Sequence, residues 1–418
     1  MEAAECIVIV GAGIAGLTTA LGLHRLGIRS LVLESSDELR TTGFAFSTWP
    51  NAWRALDAVG IGDSLRLEHE RLFRLKTYST ISGTETSNRE FAEQGKTQSS
   101  DSLSSVGFET RCIQRKNLLE TLARELPSGT IRYSSKVVSI EESGHLKLVH
   151  LADGSILKAK VLIGCDGLNS AVAKWLGFNK PVYSGRSAIR GCVSYSEGHG
   201  LDPNFMQFFG RGVRFGVIPC DDTTVYWFFT FSPSSQDHKE MEDDPAKMKQ
   251  FVLSRLGKVP DHVRGVIERS EPRNTIMSPL RYRRPWEVAW GNISKGTVCV
   301  AGDAFHPMTP DLGQGGCSAL EDGVVLARCL GQALIHNSNN NKLTAEDERK
   351  HIEAGLENYA RERRWRGFEL ITTAFMVGYI QQSDGKVLSF MRDRILATFL
   401  AGRLISIAAY DCGKLNSS

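Results

Sequence analysis

Two acidic residues at the ends of apolar runs, each near a cluster of glycines, carry the clearest chemical signal in this chain. Asp303 follows Val298-Cys-Val-Ala-Gly. It precedes Ala-Phe-His306-Pro-Met-Thr-Pro310-Asp-Leu-Gly313-Gln-Gly315-Gly316-Cys317. The order is a buried strand, an acidic turn, a glycine-rich loop and the start of a helix. A carboxylate at a strand end accepts hydrogen bonds from a polyol. Glycines, having no Cβ, let backbone come close to a flat ligand. The amino end of a helix adds unpaired N–H groups and a partial positive charge, which stabilise an anionic or electron-rich ring. Glu34 is the second acid. It ends Ser30-Leu-Val-Leu, 21 residues after Gly13 of Gly11-Ala-Gly13-Ile14-Ala15-Gly16.

These residues need a scaffold, and the flanking sequence supplies one. Cys6-Ile-Val-Ile-Val10 has the short, β-branched character of a buried parallel strand. It enters the glycine turn directly, and Leu17 to Leu26 continues with helical spacing. Strand, glycine turn, helix, strand and acid together form the dinucleotide-binding fingerprint. Gly11 makes the turn. Gly13 lets a pyrophosphate approach the helix start at Ile14 and Ala15, and Gly16 lets helix and strand pack closely. Glu34 takes ribose hydroxyls and would repel a 2′-phosphate, which argues against NADP at this site. The fingerprint alone does not separate NAD from FAD. A third strand end, Lys160-Val-Leu-Ile-Gly-Cys-Asp166-Gly167, repeats the theme. In isolation Asp-Gly is simply a turn.

In combination the three strand ends, in this order and at these separations, resemble the motifs of class A FAD-dependent monooxygenases, the aromatic hydroxylase and zeaxanthin epoxidase-like family. The resemblance covers about the first 330 residues and is closest to the plant salicylate-hydroxylase-like group. It implies non-covalent FAD, NADPH or NADH as a transient reductant, and O2 as co-substrate. It also implies oxygen transfer from a flavin C4a-hydroperoxide to a small, largely apolar, electron-rich aromatic or alkene, by hydroxylation or epoxidation. In that family the Gly-Asp acid holds the ribitol, which assigns Asp303 that role. Pro310, Gly313, Gly315, Gly316 and Cys317 are then expected along the flavin ring. The resemblance further places Asp166 near FAD and nicotinamide, Arg115 at a helix start reaching the FAD, and Arg40 beside the flavin. The flavin does the bond-making, so no catalytic side chain is assigned. Two departures stand out: Cys317 where the family often has Asn, and Ala173, followed by Lys174, where it has Arg. Two further readings stay open. One is a same-fold flavin reductase or dehydrogenase working without O2. The other is a flavin-binding interaction protein with a vestigial site, against which the intact Asp303, Pro310 and glycine loop argue.

Composition narrows the class. A net charge of +3 is too small to suggest nucleic acid or a polybasic membrane patch. The nine cysteines are odd in number and form no Cys-x-x-Cys pair, which suggests reduced thiols and no metal site. Cys6, Cys165, Cys299 and Cys329 are expected to be small buried residues. The first strand starts close to Met1 and leaves no room for a signal or transit peptide, so a cytoplasmic location is expected. The partner expected is a small-molecule substrate.

The fold class expected is α/β: a Rossmann-like FAD-binding domain, an antiparallel β-sheet substrate domain and a C-terminal helical segment. The FAD-binding domain is assigned to 1–76, 106–180 and 272–348, the substrate domain to 77–105 and 181–271, and the helical segment to 349–418. Residues 77–105 are polar and aperiodic and are expected to be an irregular excursion. Thr224 to Phe231 is a strand on which Val225, Trp227, Phe229 and Phe231 share one face. With Phe215 of a neighbouring strand, Trp227 and Phe229 are taken as the wall of a substrate pocket. Residues 331–348 are expected to be a surface loop. Leu388, Met391, Ile395 and Phe399 share a helix face that packs on the protein or makes weak membrane-surface contact. Nothing in the sequence gives the oligomeric state.

Overall fold

The run Glu5–Val10 (β1) becomes the central strand of a parallel sheet, because both of its faces are covered. In the computed structural model, which describes residues 5–40, 44–91, 108–210, 212–234, 237, 241, 244–335, 344–381 and 397–415, Ile7 to Val10 are all buried. β1 pairs in parallel with Leu31–Leu33 (β2) and Ile156–Gly164 (β10). Ile131–Arg132 (β7) extends one edge. Val298–Val300 (β17) and Ser294–Lys295 (β16) extend the other. Val137–Ser143 (β8) and Leu146–Leu151 (β9) add an antiparallel excursion to β10. Val10 stands opposite both Leu33 and Gly164, and Gly164 stands opposite Val300. The register therefore delivers the glycine turn, Glu34, Asp166 and Asp303 to one carboxyl edge, where ligands bind in open α/β sheets.

Helices Ile14–Arg25 and Gly315–Ile335 pack on one another beside this sheet. Gly323 makes the approach possible: a Cβ there would lie 2.6 Å from the Thr18 side chain. The helix runs through Ile335, so the loop expected from 331 begins later. Residues 336–343 lie outside the described residues.

The second sheet has the order Thr275–Tyr282 (β15), Val182–Ser194 (β11), Thr224–Phe231 (β14), Val213–Pro219 (β13), Asn204–Gly210 (β12), Arg74–Ser79 (β4), Glu85–Glu90 (β5). All neighbours are antiparallel except β12 and β4. Helices Pro245–Arg255 and Asp261–Arg269 cover one face. A small sheet of Ala45–Thr48 (β3) and Arg111–Gln114 (β6) carries the chain between the two bodies and packs against the opposite face.

Three expectations change here. β15 belongs to the second sheet, although it was assigned to the segment 272–348. It is an edge strand, the position that tolerates Pro279. β4 and β5 form a hairpin from residue 74 to 90 where an irregular excursion was expected. β5 is exposed on both faces, so it shows no apolar alternation to read. Residues 92–107 lie outside the described residues. Cys6 is exposed at the start of β1 and Cys165 is partly buried, whereas Cys299 and Cys329 are buried as expected.

The helix Ala345–Gln381 crosses both bodies, and a second helix, Ala397–Ala408, follows. Positions 388, 391 and 395, and the side chain of Phe399, lie outside what is described. No described helix is long and apolar enough to cross a membrane.

Candidate active site

The glycine turn is built by close contacts that exclude side chains. Gly11 has φ +101°, and a Cβ there would sit 2.5 Å from the Cys165 carbonyl oxygen. A Cβ on Gly16 would sit 2.0 Å from the Gly11 carbonyl oxygen. At Gly13, which caps the helix Ile14–Arg25, nothing lies within 4 Å of the Cβ position. The helix start thus faces open space, with the Ile14 and Ala15 side chains turned into the core. A phosphate could reach the amides there.

Glu34 lies beside this turn. Burial alone would raise its pKa. Hydrogen bonds donated by the Ser36 amide at 2.9 Å and the Ala12 amide at 3.0 Å, with Arg40, hold it below the ordinary value instead. Oε1 also accepts from Ser35 and Arg40, while among the described residues Oε2 accepts only from Ala12, which leaves it able to take a ribose hydroxyl. Arg40, expected beside the flavin ring, folds onto Glu34 at 3.1 Å, drawn by its carboxylate.

Asp303 sits in the turn Gly302–Ala304, which is tucked against the first helix: a Cβ on Gly302 would meet Ala15 at 2.8 Å. Its carboxylate is reachable by solvent yet hemmed in by protein. That confinement raises its pKa, with His306 and Arg115 pulling the other way. It has no hydrogen-bond or ion-pair partner among the described residues. Arg115 opens the helix Arg115–Arg124, and its Nε is buried without a partner. Burial depresses its pKa and attraction to Asp303 opposes this. An acid and a guanidinium without partners among the described residues, at the sheet edge that also carries an uncovered helix start, fit a ligand with hydroxyls and phosphates. FAD meets that description.

The glycine loop is fixed from both sides. Gly313 is left-handed at φ +63°, with the Ser47 hydroxyl 2.7 Å from its Cβ position. Phe46 packs on Gly316 so closely that a Cβ would lie 2.6 Å from the ring, while Gly315 is open. The amides of Gly315, Gly316 and Cys317 begin the helix Gly315–Ile335 and have no intrahelical partners. The Cys317 side chain turns away. Its Sγ faces the Ser47 and Gly313 carbonyls at 3.6 Å, and burial pushes the thiol up to about 12. Pro310, itself exposed, starts the turn Pro310–Leu312 before the loop, whose Asp311 and Leu312 are buried. Asp311 anchors that turn to the second sheet, accepting from Arg186 at 2.7 and 2.9 Å and from Arg214 at 3.3 Å.

Asp166 does something else. It accepts from the Ser170 hydroxyl and from the Ala171 amide at 2.7 Å, which caps the helix Ala171–Trp175. Ala173 is buried in that helix and Lys174 is exposed.

Phe215, Trp227 and Phe229 lie on the far face of the second sheet. All three are fully buried with Met248, Val252 and Ile267 of the covering helices, and Trp227 Nε1 donates to Ser270 Oγ at 2.6 Å. They are core and not the pocket wall expected of them. The strand is apolar on both faces, so alternation gave the pairing of residues without saying which set looks at the cleft. Register puts Arg190, Arg214, Tyr226, Phe228 and Thr230 on the other face; of these Arg190 and Phe228 are partly buried, whereas Arg214 and Thr230 are buried and Tyr226 is buried against the small sheet.

The sequence reading missed a buried charge cluster behind Asp303. Asp322 accepts from the Gly302 amide at 2.7 Å, His306 at 2.7 Å and Arg363 at 2.6 Å. Glu321 pairs with Arg363 at 2.7 Å and Arg366 at 2.9 Å. Burial would raise Asp322, but His306 and Arg363 pull it down to about 2. The visible signal was an adjacent acid pair inside an otherwise apolar helix, with two arginines three residues apart in a later one.

Comparison with known proteins agrees with this geometry. Residues 4–360 match the family described as FAD binding domain. The chain is 52% identical to Monooxygenase 2 of Arabidopsis thaliana over 99% of both chains. It is 29% identical to the Aurachin C monooxygenase/isomerase of Stigmatella aurantiaca over 97% of both. Among solved structures, Klebsiella pneumoniae HpxO complexed with FAD and uric acid superposes with a TM-score of 0.80 at 24% identity, covering 98% of each chain. With the dinucleotide turn, the unpaired Asp303 and the glycine loop at one sheet edge, these matches establish that the chain belongs to the class A FAD-binding monooxygenase family and is an FAD-dependent oxidoreductase.

Proposed function

We propose that the protein uses NADPH or NADH and O2 to hydroxylate or epoxidise a small, electron-rich aromatic or alkene held between the glycine loop and the Phe228 face of the second sheet. The observation that carries this reading is the pairing of two surfaces across one cleft. On one side lie unpaired Asp303, Arg115 and the start of the helix Gly315–Ile335. On the other lies the face of the second sheet that carries Arg190, Arg214 and the partly buried Phe228. When bound, FAD supplies hydride acceptance and reactivity toward oxygen.

The chain's own residues bind, orient and exclude water. The helix start after Gly13 holds the pyrophosphate and Glu34 Oε2 the adenosine ribose. Asp303 holds the ribityl hydroxyls. The amides of Gly315, Gly316 and Cys317 favour negative charge on the part of the ring they face. Asp311 fixes the distance between loop and sheet by engaging Arg186 and Arg214. Phe46, packed on Gly316, shields one side of the loop from water.

The test is a metabolite screen for compounds that accelerate NAD(P)H oxidation by the purified FAD-loaded protein, with product mass measured. A product heavier by one oxygen atom supports the reading. Turnover that continues at the same rate without O2 would replace it with a reductase.

A further inference from the structure

One short segment of chain grips the glycine loop at several successive points. Phe46 packs on Gly316, and the Ser47 hydroxyl and the Trp49 indole close on Gly313. Asn51, the second residue of the helix Pro50–Ala58, reaches Gln314 between those glycines. The first three contacts are steric, whereas Asn51 supplies a directional one. Its Nδ2 donates to Gln314 Oε1 at 2.8 Å and to Glu321 Oε1 at 2.5 Å. All three residues are buried.

The chemistry forces the orientation of both amides. Glu321 is ion-paired with Arg363 and Arg366. An ionised carboxylate can only accept, so Asn51 must turn its NH2 toward it. The second hydrogen of that NH2 then needs an acceptor, and Gln314 must present its oxygen. Gln314 is also where the loop becomes a helix: its carbonyl accepts the Ser318 amide at 2.8 Å. The connection continues beyond Glu321. Arg363 joins Glu321 to Asp322, and Asp322 accepts from the Gly302 amide. The glycine loop and the turn that carries Asp303 therefore hang from one buried hydrogen-bonded chain, which Asn51 enters from the loop side.

We infer that Asn51 is a positioning residue for the flavin. It sets where Gln314 stands, and through Gln314 where the amides of Gly315 and Gly316 meet the ring. The inference rests on the reading that the glycine loop lies along the flavin ring, and not on oxygen transfer.

The test compares the absorbance bands and FAD affinity of FAD-loaded variants. Asn51→Leu keeps the volume and removes both hydrogen bonds, and Gln314→Leu removes the shared one from the other side. Each should shift the flavin bands and weaken FAD binding about 2- to 10-fold, the worth of one hydrogen bond between neutral groups. Because Asn51 acts through Gln314, the double variant should shift the bands no further than the larger single shift. If Asn51→Leu does not fold, Asn51→Ser carries the same expectation. Met248→Ala, in the core beneath the second sheet, should lower the unfolding temperature without moving the bands, which separates positioning from loss of stability. Wild-type bands and affinity in the folded Asn51 variant overturn the inference. So do single effects that add in full, or a Met248→Ala protein with the same band shift. Gly315→Ala reads the underlying assignment by itself, since its added methyl has room among the described side chains. Unmoved bands there refute the contact between loop and ring, whereas moved bands there with unmoved bands in Asn51→Leu refute the positioning role alone.

Discussion

Replacing Arg363 by Met should destabilise the flavin end of the molecule far more than loss of one side chain suggests. Arg363 is fully buried and contacts two fully buried carboxylates, Glu321 at 2.7 Å and Asp322 at 2.6 Å. Glu321 keeps Arg366. Asp322 keeps the Gly302 amide and His306 but loses its permanent cation. Removing one partner of a buried pair costs about 3–5 kcal/mol, because the remaining charge is stranded away from water. That is a large part of the roughly 5–15 kcal/mol that holds a domain folded. The strand end carrying Asp303 hangs on the same carboxylate through the Gly302 amide, so FAD affinity should fall as well. Heating the holoprotein while following flavin fluorescence reads the first effect, and equilibrium titration of apoprotein with FAD reads the second. A second variant isolates the cause. Adding Asp322→Asn to Arg363→Met removes the stranded charge and should recover part of the loss. The reasoning is refuted if Arg363→Met releases flavin at the wild-type temperature with wild-type affinity, or if the double variant is worse by the full sum of the single effects.

Four other outcomes are expected. Asp303→Ala should weaken FAD binding by about 10- to 100-fold, the worth of a charged acceptor of hydroxyl groups. Glu34→Ala should do less, since only Oε2 is free; equal occupancy in the Asp303 variant would remove its role. Denaturing the protein should release about one FAD per chain into solution, as expected of the non-covalent site, and flavin that stays with the precipitated chain contradicts this. Trp227→Ala should cost about 3–5 kcal/mol in denaturant unfolding, and Phe228→Ala less, because Trp227 is fully buried and Phe228 only partly so. Stability should fall in acid through Asp322. Its folded-state pKa is about 2 against an ordinary 3.8. The fold therefore favours the ionised form, and the contribution is complete above about pH 4 and lost as the pH drops towards 2. That difference is worth on the order of 2 kcal/mol, and Arg363→Met should flatten the acid limb of the stability profile.

The cofactor half was legible in the sequence because its determinants are local. A glycine turn, a strand and an acid lie within a few tens of residues, and their physics is that of backbone geometry at a strand end. What was not legible depended on tertiary partners. Asp166 carries the same Asp-Gly signature as a ligand contact, yet spends its carboxylate on its own helix. β15 joined the second sheet through pairing with β11, which no local pattern announces. Glu321 and Asp322 meet Arg363 and Arg366 across forty or more intervening residues, so no local pattern links their charges before the long helix brings them together. The pocket wall failed for a simpler reason. Period-two alternation separates two sets of side chains but is symmetric between them, and here both sets are large and apolar.

That symmetry has an evolutionary consequence. On β14, Val225, Trp227, Phe229 and Phe231 answer to the packing of the helices beneath, whereas Tyr226 answers to the small sheet of β3 and β6, and Phe228 beside it is the less completely buried residue. Neighbouring codons in one short stretch are therefore under different selection. A lineage can exchange Phe228 while the odd-numbered residues keep the sheet folded. Specificity can then drift one residue at a time without passing through unstable intermediates.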